Sequence, residues 1–317
     1  MKRIIMLLVA LAVTAGLSAE ATEALKREMR AAWVATVYRI DWPTSVNNAS
    51  AQKAELNAYL DNLQAQHFNA IFLQVRTMCD AFYQSSYEPW SSYLTGTRGK
   101  DPGYDPLEYA VAQCHARGIQ CHAWINPYRW STGTNWNTPQ DQDLKNKGML
   151  LSYTSGSTTT TILNPGLPET RQRIVDVIRE IITNYDVDGV VFDDYFYPNG
   201  IPTNSSAGDY NLWNDSGVDM TLADWRRNNV NMMVRDVYDM IQDVKPDVLR
   251  VPATPAGQVP AAHRPVSMVS PPALPAATGN ITVSSATRWH GWSKAPSTIS
   301  RPSSTGRRPT RLTPSVP

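Results

Sequence analysis

Four times in the first 250 residues a short apolar run of strand character gives way to a helix-patterned segment, and no other feature constrains the fold as much. Met29–Tyr38 reads as a strand, ends in Arg39-Ile40-Asp41-Trp42-Pro43, and precedes a helix from about Ala51 with Leu56, Tyr59, Leu60 and Leu63 on one face. Asn69–Arg76 is the second strand, and after a long loop Pro106–Arg117 is the second helix, stopped by Gly118. Ile119–Ile125 is the third strand. A polar stretch of about thirty residues then runs to Asn164-Pro165-Gly166 and reads as a loop; loops of that length are usually functional or disordered. The third helix carries Ile174, Val177, Ile178, Ile181 and Ile182 on one stripe and leads into the fourth strand, Val187–Phe192. The fourth helix, Leu222 to Val244, buries Val230, Met233, Val234, Val237, Met240, Ile241 and Val244. Alternation of this kind implies an α/β fold with a parallel sheet. A doubly wound open sheet fits the pattern too, but no glycine-rich phosphate loop follows the first strand. The expected architecture is a (β/α)8 TIM barrel, incomplete in this chain, with about four βα units legible.

The ends of the chain differ from its middle. Residues 1–21 open with Lys2 and Arg3, continue with an apolar core from Ile4 to Leu17 and close on the small residues Ala19 and Ala21, the pattern of a cleaved signal peptide. The expected location is secreted or periplasmic, and no later apolar run is long enough to span a membrane. Three cysteines, Cys79, Cys114 and Cys121, cannot supply a disulfide framework, although a Cys114–Cys121 bridge is open to the chain. The net charge of +1 hides an asymmetry: residues 251–317 hold seven Lys and Arg, no Asp or Glu, and 12 of the 23 prolines. The domains read as a signal peptide at 1–21, a barrel domain at 28–249, and a Pro/Ser/Arg-rich tail at 250–317.

The most chemical segment is Val187–Pro198, VDGVVFDDYFYP. A buried parallel strand reads as a continuous hydrophobic run, and in a barrel the active site lies at the carboxyl ends of the strands. Here the run ends in Asp193 and Asp194, followed by Tyr195, Phe196 and Tyr197: acid–base groups beside flat apolar surfaces, the equipment for gripping and cleaving a sugar.

Several blocks in order resemble a known family. RAAWVATV with IDWP, FLQVR with CDAFYQSSYEPWSSYLTG, HAWINPYRW, ILNPG and GVVFDDYFYP together are similar to the family-ten-like glycosyl hydrolases, over about residues 28–249. The resemblance implies a barrel glycosidase, exported, acting on polysaccharide, with cell-wall (peptidoglycan-type) glycan as one substrate class.

That pattern should continue beyond Val248 into further strands, yet the tail lacks hydrophobic periodicity and has a composition that cannot order itself. The genetic code offers a reason. Joining the third base of each codon from Thr278 to Gly306 with the first two of the next permits WQYNGIF(C/S)DPLAWLEQGTIDYISPQLYWP, which resembles later blocks of the same family. A frameshift near residues 249–260 is therefore expected. A half barrel exposes strand edges, so the product as written is expected to be unstable or inactive. The basic tail would otherwise suggest nucleic acid; the frame reading removes that partner.

Glycoside hydrolysis usually needs two carboxyl groups. Adjacent strand residues point to opposite faces, so Asp193 and Asp194 are not expected to serve one bond together; Asp193 is expected as the catalytic carboxylate, with Asp194 orienting neighbours or binding a hydroxyl. The plainer reading is that either caps a turn or pairs with Arg. Asp41, Asp80 and Glu88 are in-chain candidates for the partner acid, and the Asp of the shifted frame's GTIDYISPQ is favoured over them. Arg76 offers a planar fork for a carboxylate or sugar hydroxyls, or else a salt bridge to a strand-end acid. Asn126 and Arg129 suit hydroxyl binding, or simply form an Asn-Pro turn. Trp42, Trp90, Tyr195 and Tyr197 are stacking candidates, although aromatics equally belong to cores. Cys114-His115 and Cys121-His122 lack zinc-ligand spacing, so neither a metal nor another cofactor is expected. The rival from another class is a carbohydrate-binding barrel without turnover.

Overall fold

The computed structural model describes residues 29–193, 195–198 and 200–250. The readings of 1–21 as a signal peptide and of the tail beyond residue 250, and Asp194, lie outside the described residues.

In chain order the elements are β1 (Ala31–Val34), α1 (Ala49–Ala65), β2 (Ala70–Arg76), α2 (Ser92–Thr95), α3 (Pro106–His115) and β3 (Gln120–Ile125). There follow β4 (Arg129–Thr132), α4 (Pro139–Asn146), β5 (Leu150–Ser155), β6 (Thr158–Leu163), α5 (Pro168–Asn184) and β7 (Gly189–Phe192). The last are α6 (Tyr210–Asp215), α7 (Leu222–Val244) and β8 (Leu249–Arg250). Local chemistry sets the helix starts. Asn48 accepts the Ala51 N–H at 3.0 Å to cap α1, and Asp105 accepts the Glu108 N–H at 3.0 Å just before Pro106 opens α3.

The main sheet has the order β1-β2-β3-β7-β8, and every pairing in it is parallel. The fold is thus α/β with a parallel sheet, as the alternation requires. The two-residue period of a strand divides the sheet into two faces. Ile71, Leu73, Val75, Cys121, Ala123, Ile125, Val190 and Phe192 join the main apolar core with Leu56 and Leu60 of α1, Leu107 and Val111 of α3, Ile178 of α5 and Val234 of α7. Leu56 and Leu60 have no exposed surface, and each such side chain contributes about 1.5–3 kcal/mol relative to exposure. The other parity carries Phe72, Gln74, Arg76, His122 and Trp124, with Asn126 and Asp193 at the carboxyl ends. On that face Trp33, Phe72 and His122 stand in register, with Trp33 and Phe72 ring centroids 4.6 Å apart and Phe72 and His122 5.3 Å apart. Burial pushes the His122 imidazole down to about 4, so it is neutral at pH 7.

Two expectations are corrected. The first strand stops at Val34, not Tyr38: the Thr36 and Val37 N–H groups turn to the Gln74 side-chain carbonyl of β2 at 3.2 and 3.0 Å, and a short 3-10 turn, Val37–Arg39, replaces the ladder. The polar stretch before Asn164 is not a loop. It contains α4 and an antiparallel sheet of order β4-β6-β5. Its strands send Trp130, Leu151, Ile162 and Leu163 into the main core but pair hydroxyls elsewhere, Ser152 to Thr161 at 2.8 Å and Thr154 to Thr159 at 3.0 Å, so each short strand shows only one or two such apolar marks in sequence. Cys79, Cys114 and Cys121 are buried free thiols, so no Cys114–Cys121 bridge is formed. Among the described residues no helix is long and apolar enough to cross a membrane.

Candidate active site

β3 and β7 lie side by side and end together, Ile125 opposite Phe192. The next residue of β7's path is Asp193, partly buried, and its carboxylate is held from three directions. Trp124 donates its indole N–H to Oδ2 at 3.2 Å. The Asn126 amide donates to both oxygens at 3.1 Å, and the Tyr195 N–H donates to Oδ1 at 3.2 Å. Burial pushes the Asp193 carboxyl from 3.8 up to about 6, against the lowering pull of Arg129 and of the bonds from Tyr195, Asn126 and Trp124. A carboxyl with that value is ionised at neutral pH yet takes a proton readily, which suits a nucleophile or general base.

The clamp is a product of the local sequence. Asn126 is fully buried, and its side-chain oxygen accepts the Tyr128 and Arg129 N–H groups at 3.2 and 2.8 Å, forming the turn expected of Asn-Pro. The same turn aims its amide nitrogen at Asp193 and lifts Arg129, whose guanidinium lies 4.0 Å over the Tyr195 ring. Asp193, Asn126, Arg129 and Tyr195 are therefore brought together. Trp124 was not among the sequence candidates; its parity with Asn126, two residues on along one strand, was the available signal.

The remaining candidates sit elsewhere. Arg76 is 1% exposed and spends its donors inside the protein, on Glu88 Oε1 at 3.2 and 2.8 Å and on the Asn126 and Pro127 carbonyls at 2.5 and 3.0 Å. Its place is the salt bridge rather than a sugar, and it fixes the backbone of the Asn126 turn. Glu88 is buried with it and lies 3.4 Å from Arg173; burial alone would raise its carboxyl, but Arg76, Arg173 and Arg98 bring it below the usual value. That is an ionised scaffold group, unsuited to donate a proton. Asp80 is buried and accepts the Thr77 N–H, the Thr77 hydroxyl and the Met78 N–H at 3.0, 2.8 and 2.8 Å, a turn cap. Asp41 is exposed and accepts the Ala35 N–H at 2.7 Å. Trp42 is buried with its indole N–H on the Gln52 carbonyl at 2.9 Å, and Trp90 is half-buried against the core. Tyr197 is buried, with the Arg226 guanidinium 5.3 Å from its ring. Of four expected stacking residues, only Tyr195 stands beside Asp193. The histidines of the two Cys-His pairs diverge: His115 meets Asp188 at 2.8 Å, and His122 faces Phe72.

Comparison with known proteins gives this site its context. The profile of the glycosyl hydrolase-like 10 family matches residues 28–290. "Glycosyl hydrolase YngK" of Bacillus subtilis (strain 168) is 40% identical over 228 residues, 70% of this chain and 44% of that protein. "Glycosyl hydrolase DigH" of Escherichia coli (strain K12) is 36% identical over 254 residues, 74% of this chain and 57% of that protein. The chain spans about half the length of the curated relatives it matches. Among solved structures, alpha-L-fucosidase isoenzyme 2 from Paenibacillus thiaminolyticus aligns at a TM-score of 0.47 with 14% identity, over 71% of this chain and 32% of that one, a likeness too loose to carry an argument.

Proposed function

The chain belongs to the glycosyl hydrolase-like 10 family, and from that premise we propose that it carries the Asp193 half of a glycosidase site acting on a polymeric glycan, with cell-wall glycan as the substrate class. The observation that carries this reading is the clamped Asp193 carboxyl, lifted to about 6 at the carboxyl end of a parallel strand. Ionised, it attacks the anomeric carbon or takes a proton from water; the Trp124, Asn126 and Tyr195 N–H donors keep it oriented, and the Tyr195 ring offers a flat face beside it. The five parallel strands are the open part of a (β/α)8 barrel in this proposal, and the protein is exported.

The second carboxyl comes from beyond residue 250. Two observations support this: Glu88 and Asp80 are buried in salt bridge and turn cap, and Asp41 is tied to its own loop. The shifted frame supplies an aspartate in GTIDYISPQ, so the chain as it stands binds glycan and the frame-restored chain cleaves it. The test uses the frame-restored chain. Asp193→Asn should abolish hydrolysis and keep glycan binding, and in the parent kcat/KM should fall as pH drops through about 6. Hydrolysis that survives the substitution removes Asp193 from the reaction. Resequencing the gene around codon 250 tests the frame separately.

A further inference from the structure

The loop from Ala35 to Asp41, at the carboxyl end of β1, is built to display one aromatic ring. Internal bonds close it: Asp41 Oδ2 accepts the Ala35 N–H at 2.7 Å, the Asp41 N–H returns to the Ala35 carbonyl at 3.0 Å, and the Arg39 N–H reaches the Thr36 carbonyl at 2.9 Å. The buried Gln74 side chain takes the Thr36 and Val37 N–H groups, and the Thr36 hydroxyl donates to the Gln74 carbonyl at 2.7 Å. Within this frame Tyr38 and Arg39 both hold φ at 54°, the left-handed region, with no glycine to ease it. The result is that Tyr38 and Ile40 point outward, 61% and 65% exposed. Folding alone gains nothing from two strained residues that push apolar groups into water, and such strain collects where a ligand is met.

The position of this ring gives it a use. β1 belongs to the same parallel sheet as β7, so Tyr38 and Asp193 lie at the same end of it. β2 and β3 separate the two strands, a lateral span of about 14 Å at strand spacing, more than one sugar ring along a chain. An aromatic ring stands near each end of that span: Tyr93 meets Tyr38 edge-on at 6.0 Å, and Tyr195 stands under Arg129 beside Asp193.

We propose that Tyr38 is a stacking platform for a sugar of a polymeric glycan held outside the bond at Asp193, with Tyr93 buttressing it. This rests on the glycan reading above and adds a specificity for long chains over short ones. The test measures binding by the full 317-residue chain to two probes: size-fractionated glycan strands from bacterial cell wall, and their disaccharide unit. Tyr38→Ala should weaken strand binding about tenfold, leave disaccharide binding as in the parent, and leave the melting temperature unchanged, while Tyr38→Trp keeps strand binding. A Tyr38→Ala chain that binds strands like the parent overturns the inference, as does a parent that binds no strands. A variant whose melting temperature falls while binding persists shows a packing ring, and that result also overturns it. Hydrolysis by the frame-restored Asp193→Asn chain bears on the reaction alone, and the binding role of Tyr38 stands or falls independently of it.

Discussion

Replacing Asp193 by Asn should make the protein relatively more stable as pH rises, and the size of that gain follows from the site. In the folded chain the carboxyl titrates at about 6 rather than 3.8. A group with a raised folded value contributes its stability fully below the unfolded value and loses it as pH climbs through the folded one. The span from 3.8 to about 6, at about 1.4 kcal/mol per pH unit, amounts to about 3 kcal/mol. Asn carries no charge at any pH, so the variant does not lose this amount. Its single carbonyl cannot accept every N–H that Trp124, Asn126 and Tyr195 offer, and its own amide hydrogens face those donors. That mismatch shifts the variant by a constant, so the shape of the curve decides the matter. Urea unfolding followed by tryptophan fluorescence at pH 4, 5, 6, 7 and 8 gives both stabilities. The difference, variant minus parent, should climb by about 2.4 kcal/mol between pH 4 and 7, the remainder lying below pH 4, and then level off. A flat or falling difference would refute the claim that burial dominates the Asp193 environment.

Two further substitutions probe the scaffold. Glu88→Gln leaves Arg76 and Arg173 without their shared buried countercharge and should cost about 3–5 kcal/mol in urea unfolding; a loss below about 1 kcal/mol would mean the pair is not held as the geometry shows. Gly166→Ala places a methyl 2.4 Å from the Trp225 ring and 2.9 Å from the Leu212 side chain, so about 1–3 kcal/mol of stability should go. An unchanged melting temperature would show that α6 and α7 yield there at no cost.

How much of this was legible from residues alone depends on what each residue type encodes. The parallel sheet was legible because strands such as Ala70–Arg76 and Gly189–Phe192 are buried on both faces and read as continuous apolar runs. The β4-β6-β5 sheet was not, because its apolar residues (Trp130, Leu151, Ile162 and Leu163) are few and spread over three short strands among hydroxyl-bearing ones. At the site, Asp193 with Asn126, Arg129 and Tyr195 could be found because a polar residue closing a buried strand has one natural position, the sheet's carboxyl end. The same logic over-reached with Arg76, Asp80 and Glu88, since strand-end position says nothing about which way a charge turns. All three turn inward, to a salt bridge or a turn cap. Tyr38 stayed hidden for the opposite reason: its exposure comes from a left-handed backbone that Gln74 and Asp41 impose, and no glycine marks it.

The inward-facing residues still bear on the geometry around Asp193. Arg76 grips the Asn126 and Pro127 carbonyls while Glu88 neutralises it, and Asn126 in turn clamps Asp193. The buried ion pair and the Asp193 carboxyl thus form one chain of contacts. A pair that positions a turn is retained even where hydrocarbon would fill the same volume at lower cost, because hydrocarbon cannot hold two carbonyls in place. On this argument Arg76 is a positioning residue. Its loss would reach Asp193 through a displaced Asn126 amide, not through any contact with sugar.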